Sequence, residues 1–160
     1  MSADVAWLTA EQEQVWRRWL RLNVMLPAAL HRELQADAGL SLPDFDVLVH
    51  LTDSPAGRVR VSDLAHALQW EKSRVSHHVT RMQGRGLVCR EECPDDARGA
   101  FVVVTPAGRA AIERAAPGHV RAVRDLIFDQ LTDAELEGLD AITRKVLARL
   151  DPAPGAAADR

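Results

Sequence analysis

Along the first forty residues the apolar positions recur at helical spacing, with Val15, Trp19, Leu22, Leu26 and Leu30 on one face. Thr9-Ala10-Glu11-Gln12 has the spacing of a capping box, so a helix is predicted to open at Thr9, and Gly39 to close it. Pro27 lies inside that stretch and predicts a kink, because proline removes a ladder donor. Ser41, with Pro43 in the first turn, starts a second helix through Phe45, Leu48 and Leu51, which stops at the turn cluster Asp53-Ser54-Pro55-Ala56-Gly57. Ser62 reads as the N-cap of a short helix over 63–68, and a brief turn at Gln69-Trp70-Glu71 leads to a helix over 72–85 closed by Gly86.

The period then changes. Residues 87–92 and 100–105 are strand-like, the second rich in β-branched and aromatic residues. The seven residues between them, Cys93-Pro94-Asp95-Asp96-Ala97-Arg98-Gly99, read as a hairpin tip rather than a tight two-residue turn. Thr105-Pro106 opens another helix, which Pro117-Gly118 is expected to kink or break before it resumes to Leu131. Thr132-Asp133-Ala134-Glu135 is a second capping box, and Leu136, Leu139, Ile142, Val146 and Leu150 share one face of the helix it starts. The remaining residues, 151–160, are expected to form a disordered tail. Mainly α with a small β-hairpin wing, two short helices followed by a hairpin, is the order of a winged helix-turn-helix.

The chain has 160 residues, 47% hydrophobic and 27% charged, which suits one folded domain. No apolar run is long enough to span a bilayer, and no secretion signal is read at the N-terminus, so a cytoplasmic protein with no membrane partner is expected. The formal net charge of −3 argues against a nucleic-acid partner until its distribution is considered. Residues 72–86 hold four cations (Lys72, Arg74, Arg81 and Arg85) and two histidines but no acid. At about 100° per residue, Val75, Val79, Met82 and Gly86 cluster on what must be the core face. Opposite them lie Ser73, His77, Thr80 and Gly84, flanked by Arg74 and Arg81 on one edge and Ser76 on the other. Hydroxyls, an imidazole and guanidinium groups are suited to base edges and phosphates, on a strip thin enough for a major groove. His78 falls nearer the core side.

These residues carry a family resemblance. Ser62-Asp63-Leu64-Ala65, Lys72-Ser73-Arg74-Val75-Ser76-His77-His78-Val79, Arg81-Met82, Arg85-Gly86-Leu87-Val88, Asp95-Asp96-Ala97-Arg98-Gly99 and Thr105-Pro106-Ala107-Gly108 together resemble the MarR (multiple antibiotic resistance regulator) family over about residues 10–150. The resemblance implies a homodimer held by its terminal helices and bound to a pseudo-palindrome in double-stranded DNA. It also implies recognition by helix 72–85, and a wing in which Asp96 orients Arg98 toward the minor groove. On it, residues 9–38 and 106–150 form a dimerisation region and 41–105 the DNA-binding lobe. The DNA contacts expected are Ser62, Lys72, Ser73, Arg74, Ser76, His77, Thr80, Arg81, Asp96 and Arg98. Glu71 departs from the family, which more often has a small polar N-cap there.

A repressor released by a small aromatic or amphipathic effector is the function this implies. Trp7, Trp16, Trp19 and Trp70 are expected in the core or the dimer interface. Trp16 or Trp19, with His31, Asp46, His50 and His119 as polar groups, are minor candidates for an effector pocket. An oxidant sensor using Cys89 and Cys93 is a rival reading. Reactive cysteines sit among positive charge, whereas the nearest charges here include Glu91 and Glu92. The pair reads instead as a small buried residue, Cys89, and an incidental exposed thiol, Cys93. A winged-helix adaptor for protein partners is the rival from another class. No metal-ligand spacing, nucleophile elbow or phosphate-cradling glycine loop is present, so neither a cofactor nor an enzyme is expected.

Overall fold

The computed structural model describes residues 5–93 and 96–151. The side chains of the wing candidates Asp96 and Arg98, and residues 152–160 of the expected tail, lie outside the described residues. The elements run α1 (Ala10–Ala38), α2 (Leu42–Asp53), β1 (Arg58–Arg60), α3 (Val61–Ala67), α4 (Lys72–Gly84), β2 (Val88–Cys93), β3 (Asp96–Val104), α5 (Pro106–Leu126), a 3-10 turn at Phe128–Gln130 and α6 (Asp133–Leu150). They fall into two compact units, Met1–Val120 and Arg121–Arg160.

Local chemistry sets the helix starts. Thr9 and Thr132 each form the reciprocal capping box expected of them, and Ser41 forms a third with Asp44. Gly39 closes α1 at φ 64°, a left-handed conformation that glycine adopts without a Cβ clash. Ser62 is not a cap. Helix α3 begins one residue before it, on Arg60, and the Ser62 hydroxyl donates to Asp63 Oδ1 at 3.1 Å.

Both internal prolines sit within unbroken helices, α1 through Pro27 and α5 through Pro117. A proline removes one N–H from the ladder, and the long hydrogen-bonded runs on either side outweigh that loss. The break expected at Pro117-Gly118 falls instead after Leu126.

The sheet has the order β1-β3-β2 and is antiparallel throughout. Pairing of β2 with β3 runs from Val88↔Val104 to Cys93↔Asp96, with an irregularity between Glu92 and Cys93. The hairpin connection is therefore shorter than the seven residues expected from sequence. Strand β1, not anticipated, adds Val59↔Val102 on the other edge of β3. Leu34, Leu48, Leu51, Leu64, Val75, Val79, Met82, Val88 and Val102 form one buried core with Ala111, Ile112 and Ala115 from α5. At the start of α5, Thr105 Oγ1 donates to the Gly86 carbonyl and accepts from Gly108 N. A Cβ on Gly108 would fall well inside contact distance of the Leu87 carbonyl oxygen.

The core holds none of the four tryptophans. Trp70 packs half-buried against it, while Trp7, Trp16 and Trp19 are exposed. Leu34 is the one described residue of α1 that is buried, and α6 has none. The cysteine assignment reverses: Cys93 is buried and Cys89 half-buried, both as free thiols.

Candidate nucleic-acid interface

Helix α4 presents its apolar side inward, with Val75, Val79 and Met82 fully buried. Its outer side is thereby fixed, and Lys72, Ser73, Arg74, His77, Thr80 and Arg81 are all exposed while Ser76 is half-buried. The structure brings this predicted strip together on one face. Ser62, exposed in the first turn of α3, lines with Ser73 and Lys72 an open cleft of about 510 Å³ at the turn between the two helices.

That turn is built from local bonds. Trp70 N donates to Ala65 O at 2.9 Å, and the Gln69 side chain donates to His66 O at 2.8 Å. Gln69 takes φ 52°, a left-handed conformation uncommon outside glycine and asparagine. It turns the chain so that α4 can start at Lys72. Glu71 occupies the N-cap position without a side-chain capping bond.

The exposed cations differ in freedom. Arg74 stacks its guanidinium 4.2 Å above the Trp70 ring. Arg81 Nη2 lies 3.0 Å from His78 Nδ1. The Thr80 hydroxyl donates to Ser76 O at 2.8 Å, within its own helix. Sequence reasoning missed Arg90 on β2, whose Nη2 donates to the Ser76 carbonyl at 2.7 Å and to Thr80 Oγ1 at 3.3 Å. It ties the hairpin to the middle of α4. On the far edge of the sheet, Arg58 lies over the Phe101 ring and pairs with Glu91.

Beneath the strip is a buried polar group that the sequence did not reveal. Asp44 Oδ2 accepts from Arg85 Nη1 at 2.7 Å and from Ser41 N at 2.9 Å. Its other oxygen, Oδ1, lies 3.1 Å from His78 Nε2. Arg85 also donates to the Gly39 carbonyl at 2.7 Å, joining the end of α4 to the end of α1. Burial opposes ionisation of Asp44, but His78, Arg85 and Ser41 outweigh it and hold the carboxyl far below its usual range.

The proposed pocket groups are partly assembled. His50 Nδ1 lies 2.8 Å from its own helix at Asp46 O, and His119 stacks on Phe45 at 4.4 Å. Burial raises Asp46, opposed by His50 and His119; burial lowers His119, opposed by Asp46. His31 is used elsewhere, its Nδ1 accepting from Leu42 N. Trp16 and Trp19 remain exposed on α1. Among the described residues no group of acids, histidines and cysteines could hold a metal, and no helix is long and apolar enough to cross a membrane.

Comparisons with known proteins converge on one family. A family model described as the MarR family matches residues 38–99. Sco3205, a MarR family transcriptional regulator from Streptomyces coelicolor solved in complex with DNA, is 42% identical, with 97% of each chain covered and a TM-score of 0.88. AbsC, a MarR family transcriptional regulator from the same organism, is 38% identical over 93% of this chain and 100% of its own, with a TM-score of 0.87. The transcriptional repressor MprA of Escherichia coli is 26% identical over 113 residues, which are 71% of this chain. The match spans 64% of that repressor, just under two thirds of its length.

Proposed function

This chain belongs to the MarR family of transcriptional regulators, and from that premise we propose that it is a sequence-specific repressor that binds double-stranded DNA as a homodimer. The observation that carries the reading is the outer face of α4, where Lys72, Ser73, Arg74, His77, Thr80 and Arg81 are exposed on a helix with no acidic side chain. A protein of net charge −3 that keeps one helix free of acid has a local surface phosphate can approach. In this reading His77, Ser73, Ser76 and Thr80 face base edges in the major groove, and Lys72, Arg74, Arg81 and Ser62 meet the backbone. Asp96 and Arg98 serve the wing, with Arg98 entering a narrow minor groove.

The terminal helices, 9–38 and 106–150, supply the dimer contact, and 41–105 form the DNA-binding lobe. Two recognition helices on one face of DNA need a separation of about 34 Å, so a small rotation between protomers is enough to release it. A small aromatic or amphipathic effector is expected to cause that rotation. Catalysis and cofactors have no part, and the protein acts in the cytoplasm.

Recovering bound duplexes from random-sequence DNA, then titrating them across salt concentrations, tests the proposal. A recovered palindromic sequence and a steep loss of affinity with salt are expected. Recovery of no sequence, with salt-independent binding, sinks it and favours the adaptor. One form of the redox rival, a disulfide between its two cysteines, meets a geometric obstacle. Cys89 and Cys93 lie on the same extended strand, so their Cα atoms are about 13 Å apart, beyond the reach of a disulfide within the chain.

A further inference from the structure

We propose that His78 is a positioning residue for DNA binding: anchored against Asp44 at the start of α2, it holds the Arg81 guanidinium in the orientation from which it meets the DNA backbone. The proposal deepens the reading of α4 as the recognition helix and rests on it.

Proton accounting fixes the direction of the contacts. Arg81 Nη2 lies 3.0 Å from His78 Nδ1. A guanidinium can only donate, so Nδ1 accepts and the ring proton sits on Nε2. That nitrogen faces Asp44 Oδ1 at 3.1 Å, close though not aligned as a full hydrogen bond. Asp44 cannot swing away. Its Oδ2 accepts from Ser41 N and Arg85 Nη1, and its own N–H donates to the Ser41 hydroxyl. Trp70 meets the imidazole edge-on at 5.4 Å with an 82° angle between ring planes, while Arg74 covers the same indole. The imidazole is therefore constrained both by the carboxylate and by the indole.

A buried histidine needs such a reason. His78 is 7% exposed, on the core side of a helix whose neighbours Val75, Val79 and Met82 are wholly apolar. An aliphatic side chain would fill that place without desolvating a polar ring. What the imidazole adds is an acceptor, and the group on it is a cation of the exposed strip. Arg81 uses one of five N–H donors there and keeps the others for phosphate. Held in one orientation, it loses less rotamer freedom when DNA arrives.

Two substitutions divide the ring's functions. His78→Gln keeps an amide N–H near Nε2 for Asp44 but leaves no acceptor near Nδ1. His78→Asn offers an amide oxygen near Nδ1 but nothing near Nε2. The full-length variants are melted thermally and titrated against a duplex that the wild-type protein recovers from random-sequence DNA. His78→Gln is expected to melt nearer the wild type yet bind about three- to tenfold more weakly, as for one lost hydrogen bond. His78→Asn is expected to melt lower and bind more tightly than His78→Gln. Arg81→Ala is expected to cost less affinity in the His78→Gln background than in the wild type. Wild-type affinity in His78→Gln, full additivity with Arg81→Ala, or affinities that merely follow the melting temperatures would each overturn the proposal. A wild-type protein that recovers no duplex overturns the recognition-helix reading as well, which separates the two failures.

Discussion

Asp44 accepts from the Arg85 guanidinium and a backbone N–H, and faces the His78 ring, while buried beneath α4, and its substitution has consequences that can be signed. Its carboxyl is held below the ordinary range in the fold, so the unfolded chain takes up its proton first as pH falls. The stability it contributes is therefore complete above about pH 4, the unfolded value, and is lost progressively in more acid solution. Asp44→Asn is expected to destabilise the protein at pH 7 by roughly 2–3 kcal/mol, less than for a fully buried pair because Arg85 is half-exposed. Urea denaturation at pH 7 and pH 3 measures it, and an unchanged difference between variant and wild type at the two pH values would rule it out. On the outer face, His77 and Arg81 predict different losses. His77→Ala is expected to relax preference at one position of each half-site by about 1–3 kcal/mol. Arg81→Ala is expected to weaken operator and scrambled duplexes alike, lowering the salt slope by about one per protomer. Equal loss on both duplexes for His77→Ala would reassign it to the backbone.

Where elements meet, the decisive contacts lie between residues far apart in the chain. Helix α5 approaches the loop before β2 so closely that a methyl group on Gly108 would strike the Leu87 carbonyl. Backbone cannot yield as a side-chain tip can, so Gly108→Ala is expected to lower stability by about 1–3 kcal/mol, read as a shift in denaturation midpoint. A midpoint equal to wild type would mean that α5 moves freely. His119 on α5 packs on Phe45 of α2, and burial lowers its proton affinity against the pull of Asp46. A histidine lowered in the fold contributes stability that is complete above its ordinary value of 6.5 and declines as pH falls below it. His119→Phe is expected to flatten the loss of thermal stability between pH 7 and pH 5.5, and a parallel loss would refute this. The same distinction explains what the sequence allowed one to read. Capping boxes at Thr9 and Thr132, the inward face of α4 and the glycine stop of α1 are local patterns and were legible. Strand β1 was not: Arg58-Val59-Arg60 offers one apolar residue, and its pairing to β3 arises only in the fold. Ser62 misled because a serine before an apolar run resembles a cap whether or not the helix has already begun. Asp44 and Arg90 escaped notice because their partners lie on other elements. Pro117 misled in the opposite sense: a break is one outcome expected there, yet α5 runs through it, since a long helix outweighs one missing donor.

At the scale of the whole molecule, the terminal helices are incomplete as they stand. Helix α1 runs for 29 residues and α6 for 18, yet Leu34 alone among their described residues is buried. Val15, Trp16, Trp19, Leu20 and Leu22 are exposed on the first, and Ile142, Val146, Leu147 and Leu150 on the second. Soluble monomers rarely leave so many large apolar side chains of a helix in water, and most helical stability comes from packing an amphipathic face. A second copy of the chain is the partner expected, because a closed two-fold contact covers the same patch on both protomers. Sedimentation velocity at micromolar concentration is expected to show a dimer. Leu147→Asp, at a position 61% exposed in the single chain, leaves the core untouched and buries a charge only if the dimer forms. Its expected effect is a shift to monomer with the helical circular dichroism of the winged lobe retained. DNA binding then becomes diagnostic. Each monomer would still meet one half-site, but without the partner it loses the effective concentration that joins two contacts, a factor of about 10²–10⁴. Affinity for a palindrome is expected to fall toward that for a single half-site, while affinity for one half-site alone stays near the wild-type value. A wild-type protein that sediments as a monomer, or a monomeric Leu147→Asp variant that holds the palindrome as tightly as wild type, would remove the terminal helices from the mechanism.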